Sequence, residues 1–309
     1  IQAVPSRRVQ IECKATALQV YGKLRKVNPS PYMFYLDFGN FQLTGASPES
    51  LVRVREGKAS IHPIAGTIHR GKNEAEDEEL SKTLRENPKE RAEHLMLVDL
   101  ARNDLGRVCK SGSVTVPQYM ECERYSHVIH LVSNTEGFVR EGVKPIQVLR
   151  ASFPAGTVSG APKISAMQIL SRLEKIKRRF YAGAVGYIQN NGDLDFCITI
   201  RSCLCKDGIF SLQAGGGIVY DSTPEREFTE TQEKLGALIE LRDSDIRNEI
   251  QSLNTMAVNF VDLVNDVHRA GIGANNETGL DFFVQHPFVT DTNVNFVAPV
   301  TVEKYAKIG

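Results

Sequence analysis

Glu90–Asp104 reads Glu-Arg-Ala-Glu-His-Leu-Met-Leu-Val-Asp-Leu-Ala-Arg-Asn-Asp, and its apolar residues recur at the spacing of an amphipathic helix. On a helical period Glu90 and Glu93 stand at the head of a stripe that runs through Leu97 and Leu100. Two carboxylates are therefore predicted at the start of a row of buried leucines. Acidic side chains are seldom buried unless they are paired, so the stretch indicates a site as well as a helix.

Composition indicates a globular protein with a small ligand. The chain has 309 residues, 41% of them hydrophobic and 24% charged, which is enough for one large core or two ordinary ones. Lys and Arg number 37, as do Asp and Glu, so no net charge favours a nucleic acid or an anionic membrane as partner. The six cysteines are scattered, which is typical of reduced thiols. No apolar run of about 18 residues predicts a membrane span.

Alternating apolar residues and turn signals predict several strands. Residues 1–60 are predicted to form strands joined by turns at Gly39-Asn40 and Glu56-Gly57. Later strands are predicted at Tyr125–Ser133, Tyr181–Ile188, Phe196–Arg201 and Phe210–Ala214. His62–Thr67 is predicted to be a strand end that opens into a polar loop, Glu74–Glu79 a solvated helix face, and Lys163–Lys177 a helix.

A second pair of acids repeats the pattern of the first. The helix that follows residue 222 places Glu227, Glu230 and Lys234 on one stripe. Four carboxylates in one low-dielectric site would raise one another's pKa values, and a hard cation such as Mg²⁺ would resolve this repulsion. Alternatively, each acid lies at the wet edge of its helix and pairs with Arg91, Arg226 or Lys234. The spacing alone does not decide between these interpretations.

Two segments are poor in side chains. Ala155–Lys163 would let a ligand approach backbone amides near a helix start, but the spacing of a phosphate-binding loop is incomplete, so a nucleotide site is weakly indicated. Gly215–Gly217 follows a strand and indicates either a tight bend or close contact with a ligand, with equal weight.

Six segments, in order and at matching spacing, resemble the chorismate-utilising enzymes, and among them the large component of anthranilate synthases. They are Gln2–Arg8, Pro63–Thr67, Ala92–Val108, His127–Ser133, Phe153–Lys163 and Gln213–Glu230. The resemblance covers residues 1–242. It implies an α/β fold of the α+β type, in which large, mostly antiparallel β-sheet layers and flanking helices surround a central active site.

The resemblance also implies a magnesium ion and an acid. Glu93 and Glu230 would hold Mg²⁺, and Glu90 and Glu227 would support it directly or through water. The metal would bind the carboxylate on the chorismate ring. Glu49 matches the general acid that protonates the departing C4 hydroxyl while a nucleophile enters at C2. Without the resemblance, Glu49 would be interpreted as a turn residue.

Further positions match residues that contact the substrate. The set that would hold its carboxylates comprises Tyr181, Arg201, Gly216, Gly217 and Lys234. Ala65, Gly66, Thr67 and Thr157 lie in matched substrate-binding loops. His130 matches the histidine associated with elimination of pyruvate, the step that makes the ring aromatic; on its own it would be interpreted as a strand histidine bonded to a carbonyl.

Two positions discriminate among members of the family. Members that add water to chorismate carry a lysine base where this chain has Gln2, and members that make 4-amino-4-deoxychorismate carry a nucleophilic lysine where it has Ala65. The expected reaction is therefore attack of ammonia at C2. It ends either in anthranilate and pyruvate or in 2-amino-2-deoxyisochorismate. The resemblance implies a glutamine amidotransferase, component II of anthranilate synthase, as the partner that supplies ammonia; a non-catalytic subunit that binds chorismate or this partner is the alternative from another class.

The resemblance sets the expected domain boundaries. A catalytic domain is predicted at 1–245 without the N-terminal region of the family. A tail of unknown role follows at 246–309, with a helix at Asn248–Arg269 and a strand-like alternation at Val294–Val302. A remnant of the family's tryptophan feedback site comprises Asn28, Pro29, Ser30, Pro31, Tyr32 and Met33. We expect a cytoplasmic protein, with an organellar leader upstream of Ile1 left open.

Overall fold

Antiparallel strands and flanking helices make up the computed structural model, which describes residues 1–27, 29–125, 128–219, 222–223, 225, 227–229, 231 and 234–235. The strands are β1 (Gln2–Ala3), β2 (Ser6–Glu12), β3 (Tyr32–Asp37), β4 (Gln42–Ser47), β5 (Ser50–Arg55), β6 (Lys58–Ile61), β7 (Ile64–His69), β8 (Thr115–Arg124), β9 (Val128–Phe138), β10 (Gly160–Ala161), β11 (Ala184–Ile188), β12 (Leu194–Ile198), β13 (Ser202–Lys206) and β14 (Ile209–Gly215). The helices are α1 (Ala17–Val27), α2 (Glu74–Glu86), α3 (Pro88–Gly106), α4 (Pro145–Ser152), α5 (Gly156–Ser159) and α6 (Lys163–Leu173).

Three sheets organise the described part of the chain. A seven-stranded sheet has the order β11-β12-β5-β6-β9-β7, with β8 also paired to β9, and a five-stranded sheet has the order β2-β14-β13-β4-β3. β1 and β10 form a short two-stranded ribbon. All of these pairings are antiparallel. The expected α/β fold of the α+β type is confirmed. Among the described helices none is both long and apolar enough to cross a membrane.

Local backbone geometry explains two turns in the large sheet. Glu56 and Gly57 both have positive φ, 51° and 75°, as a tight hairpin between β5 and β6 requires. Gly66 has φ of 81° and shifts the register of β7 on β9 between Ala65 and Thr67. The predicted polar loop ending at Thr67 is therefore wrong, because this segment forms β7 and pairs with β9.

Helix α3 follows the sequence prediction closely and extends it by two residues at each end. Asn87 caps it by accepting hydrogen bonds from the backbone amides of Lys89 and Glu90, and Pro88 occupies the first turn. Its buried residues are His94, Leu97, Val98, Ala101, Asp104 and Leu105. Two of these six are polar, so the buried face is less apolar than the leucine stripe suggested. Glu90 and Glu93 are half-buried at its start.

The main core lies between the large sheet and the helices α3, α4 and α5. It includes Leu51, Val52, Leu105, Val148, Leu194 and Ile198, each at most 3% exposed. A fully buried side chain of this size contributes about 1.5–3 kcal/mol, so this cluster fixes α3 and α5 against the sheet. A second core covers the five-stranded sheet and includes Ala17 of α1.

Other sequence predictions changed at their boundaries. Glu74–Glu79 is part of the longer α2, and its Asp77 is buried in an ion pair with Arg70 instead of solvated. The helix predicted to reach Lys177 ends at Leu173. The domain boundary at 245 and the tail lie outside the described residues, so both stay predictions.

Candidate active site

Glu49 lies directly before β5, and a second loop reaches it from α5. The Thr157 hydroxyl donates a hydrogen bond of 2.8 Å to Glu49 Oε1. The Glu49 carbonyl accepts from the backbone amide of Ile198, which fixes the residue against β12. Burial raises the pKa of Glu49 to about 7, although Thr157 and the charge of Arg201 both act to lower it. A carboxyl with this pKa carries its proton on about half of the molecules at neutral pH.

Arg201 follows β12 and adopts a backbone conformation that is rare for arginine. Its φ is 47°, in the left-handed region, and its carbonyl accepts a hydrogen bond from the amide of Ala46 in β4. The side chain is open to solvent and interacts electrostatically with both Glu49 and His130. A strained residue of this kind is found where the surrounding fold holds a side chain in place.

His130 projects from β9 toward the register shift in β7. Its Nδ1 lies 2.9 Å from Thr67 Oγ1 and 3.4 Å from the carbonyl oxygen of Gly66. The Tyr125 ring meets the imidazole edge-on, with centroids 5.3 Å apart. Burial lowers the pKa of His130, and the charge of Arg201 lowers it further. The imidazole is therefore neutral near pH 7.

The first glutamate of α3 lies beside the same bulge. A Cβ atom at Gly66 would lie 3.1 Å from Glu90 Oε2, so the carboxylate rests directly against the glycine. Ala65 pairs with Leu131 of β9. The structure thus brings Glu90, Gly66, Thr67 and His130 together. Glu93 is half-buried one turn further along α3.

A second group of predicted residues gathers around Gly215–Gly217. The carbonyl of Gly215 accepts a hydrogen bond of 3.2 Å from Lys234 Nζ. A Cβ atom at Gly215 would lie 2.9 Å from the Tyr181 hydroxyl oxygen. Burial raises the pKa of Tyr181 to about 12, so this hydroxyl keeps its proton. A Cβ atom at Gly217 would lie 2.9 Å from the side-chain amide nitrogen of Gln2. The absence of side chains lets three polar groups approach this backbone.

The ribbon of β1 and β10 joins this group to the loop that carries Thr157. Gln2 pairs with Ala161, and Ala3 exchanges backbone hydrogen bonds with Ile218. Gln2 is 8% exposed, and within the described residues its Oε1 has no hydrogen-bond partner. Backbone hydrogen bonds of β1 therefore connect the segment after Gly217 with the segment after Thr157.

The structure describes three of the four glutamates that were predicted to bind a metal ion, Glu90, Glu93 and Glu227. Glu227 is 9% exposed, and its carboxylate oxygen lies 3.3 Å from the virtual Cβ of Gly216. Glu230 lies outside the described residues. In the part of the chain that the structure describes, no three carboxylate, histidine or cysteine side chains are grouped closely enough to hold a metal ion. The predicted convergence of Glu90, Glu93, Glu227 and Glu230 stays a prediction.

The segment predicted to be a feedback-site remnant is held in place through Tyr32. The Tyr32 hydroxyl donates to Asp195 Oδ1 at 2.8 Å, and Arg53 contacts both groups. Pro29, Ser30 and Pro31 precede β3, and Met33 pairs with Ala46 of β4. Asn28 lies outside the described residues. A role of this segment in feedback stays a prediction.

Sequence reasoning missed two buried polar contacts of α3. His94 Nε2 lies 2.7 Å from Ser133 Oγ in β9, and burial lowers the pKa of His94 to about 4. Lys163 Nζ lies 2.6 Å from Asp104 Oδ2, with both side chains buried. His94, Asp104 and Lys163 all lie within the segments that carry the family resemblance, but nothing in their spacing indicates which residues they meet.

Comparison with known proteins identifies the family. The family model of chorismate-binding enzymes matches residues 1–240. The chain therefore belongs to the chorismate-binding enzymes. Over 237 residues it is 57% identical to component 1 of anthranilate synthase from Spirochaeta aurantia, a match that spans 77% of this chain and 49% of that protein. The Bacillus subtilis anthranilate synthase component 1 is 50% identical over 238 residues, spanning 77% of this chain and 46% of that protein.

Solved structures agree with this assignment. Anthranilate synthase component I from Streptococcus pneumoniae superposes with a TM-score of 0.70 at 44% identity, covering 79% of this chain and 52% of that one. MenF, the menaquinone-specific isochorismate synthase from Escherichia coli, gives a TM-score of 0.71 at 26% identity, covering 78% and 56%. The chain thus spans about half the length of the relatives that it matches. A model of the flagellar hook-associated protein FlgK helical domain matches residues 212–283, most of which lie outside the described part.

Proposed function

We propose that this family member converts chorismate and ammonia to anthranilate and pyruvate, the first committed step of tryptophan biosynthesis. The observation that carries the proposal is the environment of Glu49. This carboxyl has a pKa of about 7, accepts a hydrogen bond from Thr157, and interacts electrostatically with Arg201, whose charge also acts on His130. A carboxyl that is protonated near neutral pH is suited to protonate a departing hydroxyl group.

Each residue of this group has a distinct task in the proposed reaction. Glu49 gives its proton to the C4 hydroxyl, which leaves as water while ammonia forms a bond to C2. His130, neutral near pH 7, accepts the proton lost when pyruvate is eliminated and the ring becomes aromatic. The planar fork of Arg201 suits a substrate carboxylate, with Tyr181, the amides near Gly216 and Gly217, and Lys234 as further donors.

Two side chains support amination at C2 over the other reactions of this family. Ala65 offers no amine that would form a covalent intermediate with the ring. Gln2 is buried against Gly217, and its neutral amide is not a base that would activate water. MenF, an isochorismate synthase, shares the fold at 26% identity, so residues of this kind, and not the fold, separate the activities.

The acidic residues have a donor chemistry that fits Mg²⁺. Glu227 is 9% exposed, and its Oε2 lies beside Gly216, 3.3 Å from the position that a Cβ atom would take there. Because a buried carboxylate needs a compensating charge, a cation bound there would stabilise it. Glu93 and Glu230, with Glu90 and Glu227, would hold the ion through hard oxygen ligands. When bound, Mg²⁺ would supply a positive charge that orients the ring carboxylate of chorismate.

An assay of the full chain tests the proposed activity. We expect fluorescent anthranilate when the protein is mixed with chorismate, magnesium and ammonium, and a loss of product when magnesium is chelated. Product that forms without magnesium, or no product from folded protein, would contradict the proposal. Mass spectrometry would reveal 2-amino-2-deoxyisochorismate if the reaction stops before elimination. Calorimetric binding of chorismate without turnover would instead support a non-catalytic subunit.

A glutamine amidotransferase, component II of anthranilate synthase, is the proposed source of ammonia. Both curated relatives described above are named component 1, which implies a second component in those systems. Adding glutamine with such a partner should replace the requirement for ammonium. If glutamine never substitutes for ammonium in the presence of a folded partner, this part of the proposal is wrong.

The contact between Gly66 and Glu90 gives a sharper test of the metal site. Replacing Gly66 by Ala would place a methyl group 3.1 Å from Glu90 Oε2 at a φ of 81°. We expect a stability loss of about 1 kcal/mol from the positive φ and a weaker activation by magnesium, because the flexible carboxylate must move aside.

Gly57 provides a matched control for this substitution. Its φ is 75°, but a Cβ atom there meets nothing within 4 Å. Gly57→Ala should therefore show the cost of the positive φ alone in urea denaturation, less than that of Gly66→Ala, whose methyl group would also lie 3.3 Å from Leu84 Cδ1, while keeping the magnesium dependence of the parent chain. Identical magnesium dependence in the two variants would show that the Glu90 position does not affect metal binding.

A further inference from the structure

A buried ion pair lies outside the proposed chemistry. Asp104 of α3 is 6% exposed and Lys163 of α6 is 8% exposed, and Lys163 Nζ lies 2.6 Å from Asp104 Oδ2. Burial raises the pKa of Asp104 to about 6, although Lys163 acts to lower it. A buried pair is costly to desolvate and is weak evidence for added stability. The structural effect of this pair therefore depends on the segments that it joins.

The ammonium of Lys163 closes a loop onto α3. Besides Asp104, it donates to the carbonyl oxygen of Ser152 at 3.2 Å. Ser152 is the last residue of α4, and Lys163 is the first residue of α6. One cation thus joins both ends of segment 153–162 to α3. The short helix α5 lies inside this segment.

Within the closed loop, α5 packs directly on α3. A Cβ atom at Gly156 would overlap Leu100 Cδ2 and lie 3.2 Å from Leu97 Cδ2, so the leucines could keep these positions only because the residue is glycine. The next residue is Thr157, whose hydroxyl donates to Glu49. A small pocket of about 30 Å³ is lined by residues of both features, among them Glu49, Asp104, Ser152 and Thr157. The ion pair and the hydrogen bond therefore belong to one packed unit.

We propose that the Asp104–Lys163 ion pair is a positioning device that holds α5 where Thr157 can donate its hydrogen bond to Glu49. Asp104 and Lys163 act through Thr157 and need not touch the substrate. The charged and polar groups that face Glu49 are Thr157 and Arg201 directly, with His62 and Asp104 along the walls of the shared pocket. The importance of this device for catalysis depends on the proposed function, but the positioning itself does not.

Titration of Glu49 in the full chain tests this inference without chorismate. The Glu49 carboxyl signal would be followed by ¹³C NMR in glutamate-labelled protein and assigned by its absence in Glu49→Gln. Since the Thr157 hydrogen bond lowers the pKa of Glu49, we expect Thr157→Val to raise the midpoint by about half a pH unit or more. Asp104→Asn with Lys163→Met should raise it similarly, because neither new side chain closes the loop.

A double-mutant cycle separates positioning from a direct effect of charge. If the pair acts through Thr157, its removal should raise the midpoint in the parent chain and leave it unchanged in the Thr157→Val background. Lys163→Arg, which keeps the charge and the donors, should retain the parent midpoint. The matched control is removal of the Arg70–Asp77 pair by Arg70→Met with Asp77→Asn, which should leave the midpoint of Glu49 unchanged.

Two results would overturn the inference. One is an unchanged midpoint in a pair variant whose melting temperature shows that it is folded; the other is an equal rise in both backgrounds. If this double variant does not fold, Asp104→Asn with Lys163→Gln should give a smaller rise, because the two neutral amides can still hydrogen-bond to each other, and no rise there would equally overturn the inference. A chain that shows the expected midpoints but does not convert chorismate would contradict only the proposed function.

Discussion

Replacing Glu49 by Gln should lower the rate of the proposed chorismate conversion by about 10²–10⁴-fold, the contribution expected of a positioned general acid. The amide has nearly the same shape and accepts the Thr157 hydrogen bond, but it has no proton to give the departing hydroxyl. The binding of chorismate should change little, because Arg201 and the glycine backbone remain in place. Steady-state kinetics with anthranilate fluorescence would separate kcat from KM and show the loss in kcat.

The pH dependence of the parent chain provides a second measure of the same role. Because the acid must be protonated, activity should fall as the pH rises through about 7, the pKa of Glu49. In Glu49→Gln the residual activity should lack this limb. The exposed Glu141 is a matched control, and Glu141→Gln should keep both the rate and the pH profile. A Glu49→Gln variant with nearly full activity would rule out the general acid role.

Stability measurements on the same variant do not depend on catalysis. The pKa of Glu49 is raised from 4.5 to about 7 on folding, so the parent chain keeps full stability below about pH 4.5 and loses stability as the pH rises from about 4.5 to about 7. Glu49→Gln lacks this loss and should be more stable than the parent above pH 7, by up to about 3 kcal/mol. The difference should vanish near pH 4. Equal stability at all pH values would show that Glu49 is not significantly desolvated.

Much of the fold follows from local patterns in the sequence. Helix α3 has a cap at Asn87, Pro88 in its first turn and a regular apolar stripe, and each of these signals depends on neighbours within four residues. The turn at Glu56 and Gly57 is equally local. β7 was missed because the register shift at Gly66 interrupts the alternation that identifies a strand, and pairing with β9, more than 60 positions away, restores it.

The candidate site depends more on long-range contacts than on local pattern. Glu49 is only a turn residue by its neighbours, and its partner Thr157 lies 108 residues further along the chain. No periodicity relates two such positions, so only the order of family motifs indicated that they share a site. Asp104 and Lys163 both lie in segments that carry the family resemblance. Their contact across 59 residues was nevertheless not predicted, because no local pattern relates the two positions.

The effect of the buried Asp104–Lys163 pair depends on the helices that it joins. Asp104 comes from the same helix that presents Glu90 and Glu93, and Lys163 begins the helix that follows the Thr157 loop. α3 therefore carries two of the proposed metal ligands near its start, and near its end it lines the pocket that Glu49, the proposed general acid, also lines. Gly156 allows α5 to approach α3, and the ion pair joins the start of α6 to the end of α3. A substitution at the C-terminal end of α3 should thus change the pKa of Glu49.

Removing only the ammonium, by Lys163→Met, should destabilise the chain by about 3–5 kcal/mol at pH 8, because it leaves the Asp104 carboxylate buried without its counter-charge. The pKa of Asp104 is already raised to about 6 beside Lys163, and loss of the cation raises it further. A carboxyl whose pKa is raised on folding lowers stability as the pH rises from its unfolded pKa, 3.8 for Asp104, to its folded pKa, so a further rise of the folded pKa adds a loss only above about pH 6. Urea denaturation should therefore show a smaller loss at pH 5 than at pH 8. Adding Asp104→Asn should recover most of the stability lost at pH 8, since no buried charge then remains. An equal loss at both pH values, or no recovery in the double variant, would show that the unpaired carboxylate is not the cause.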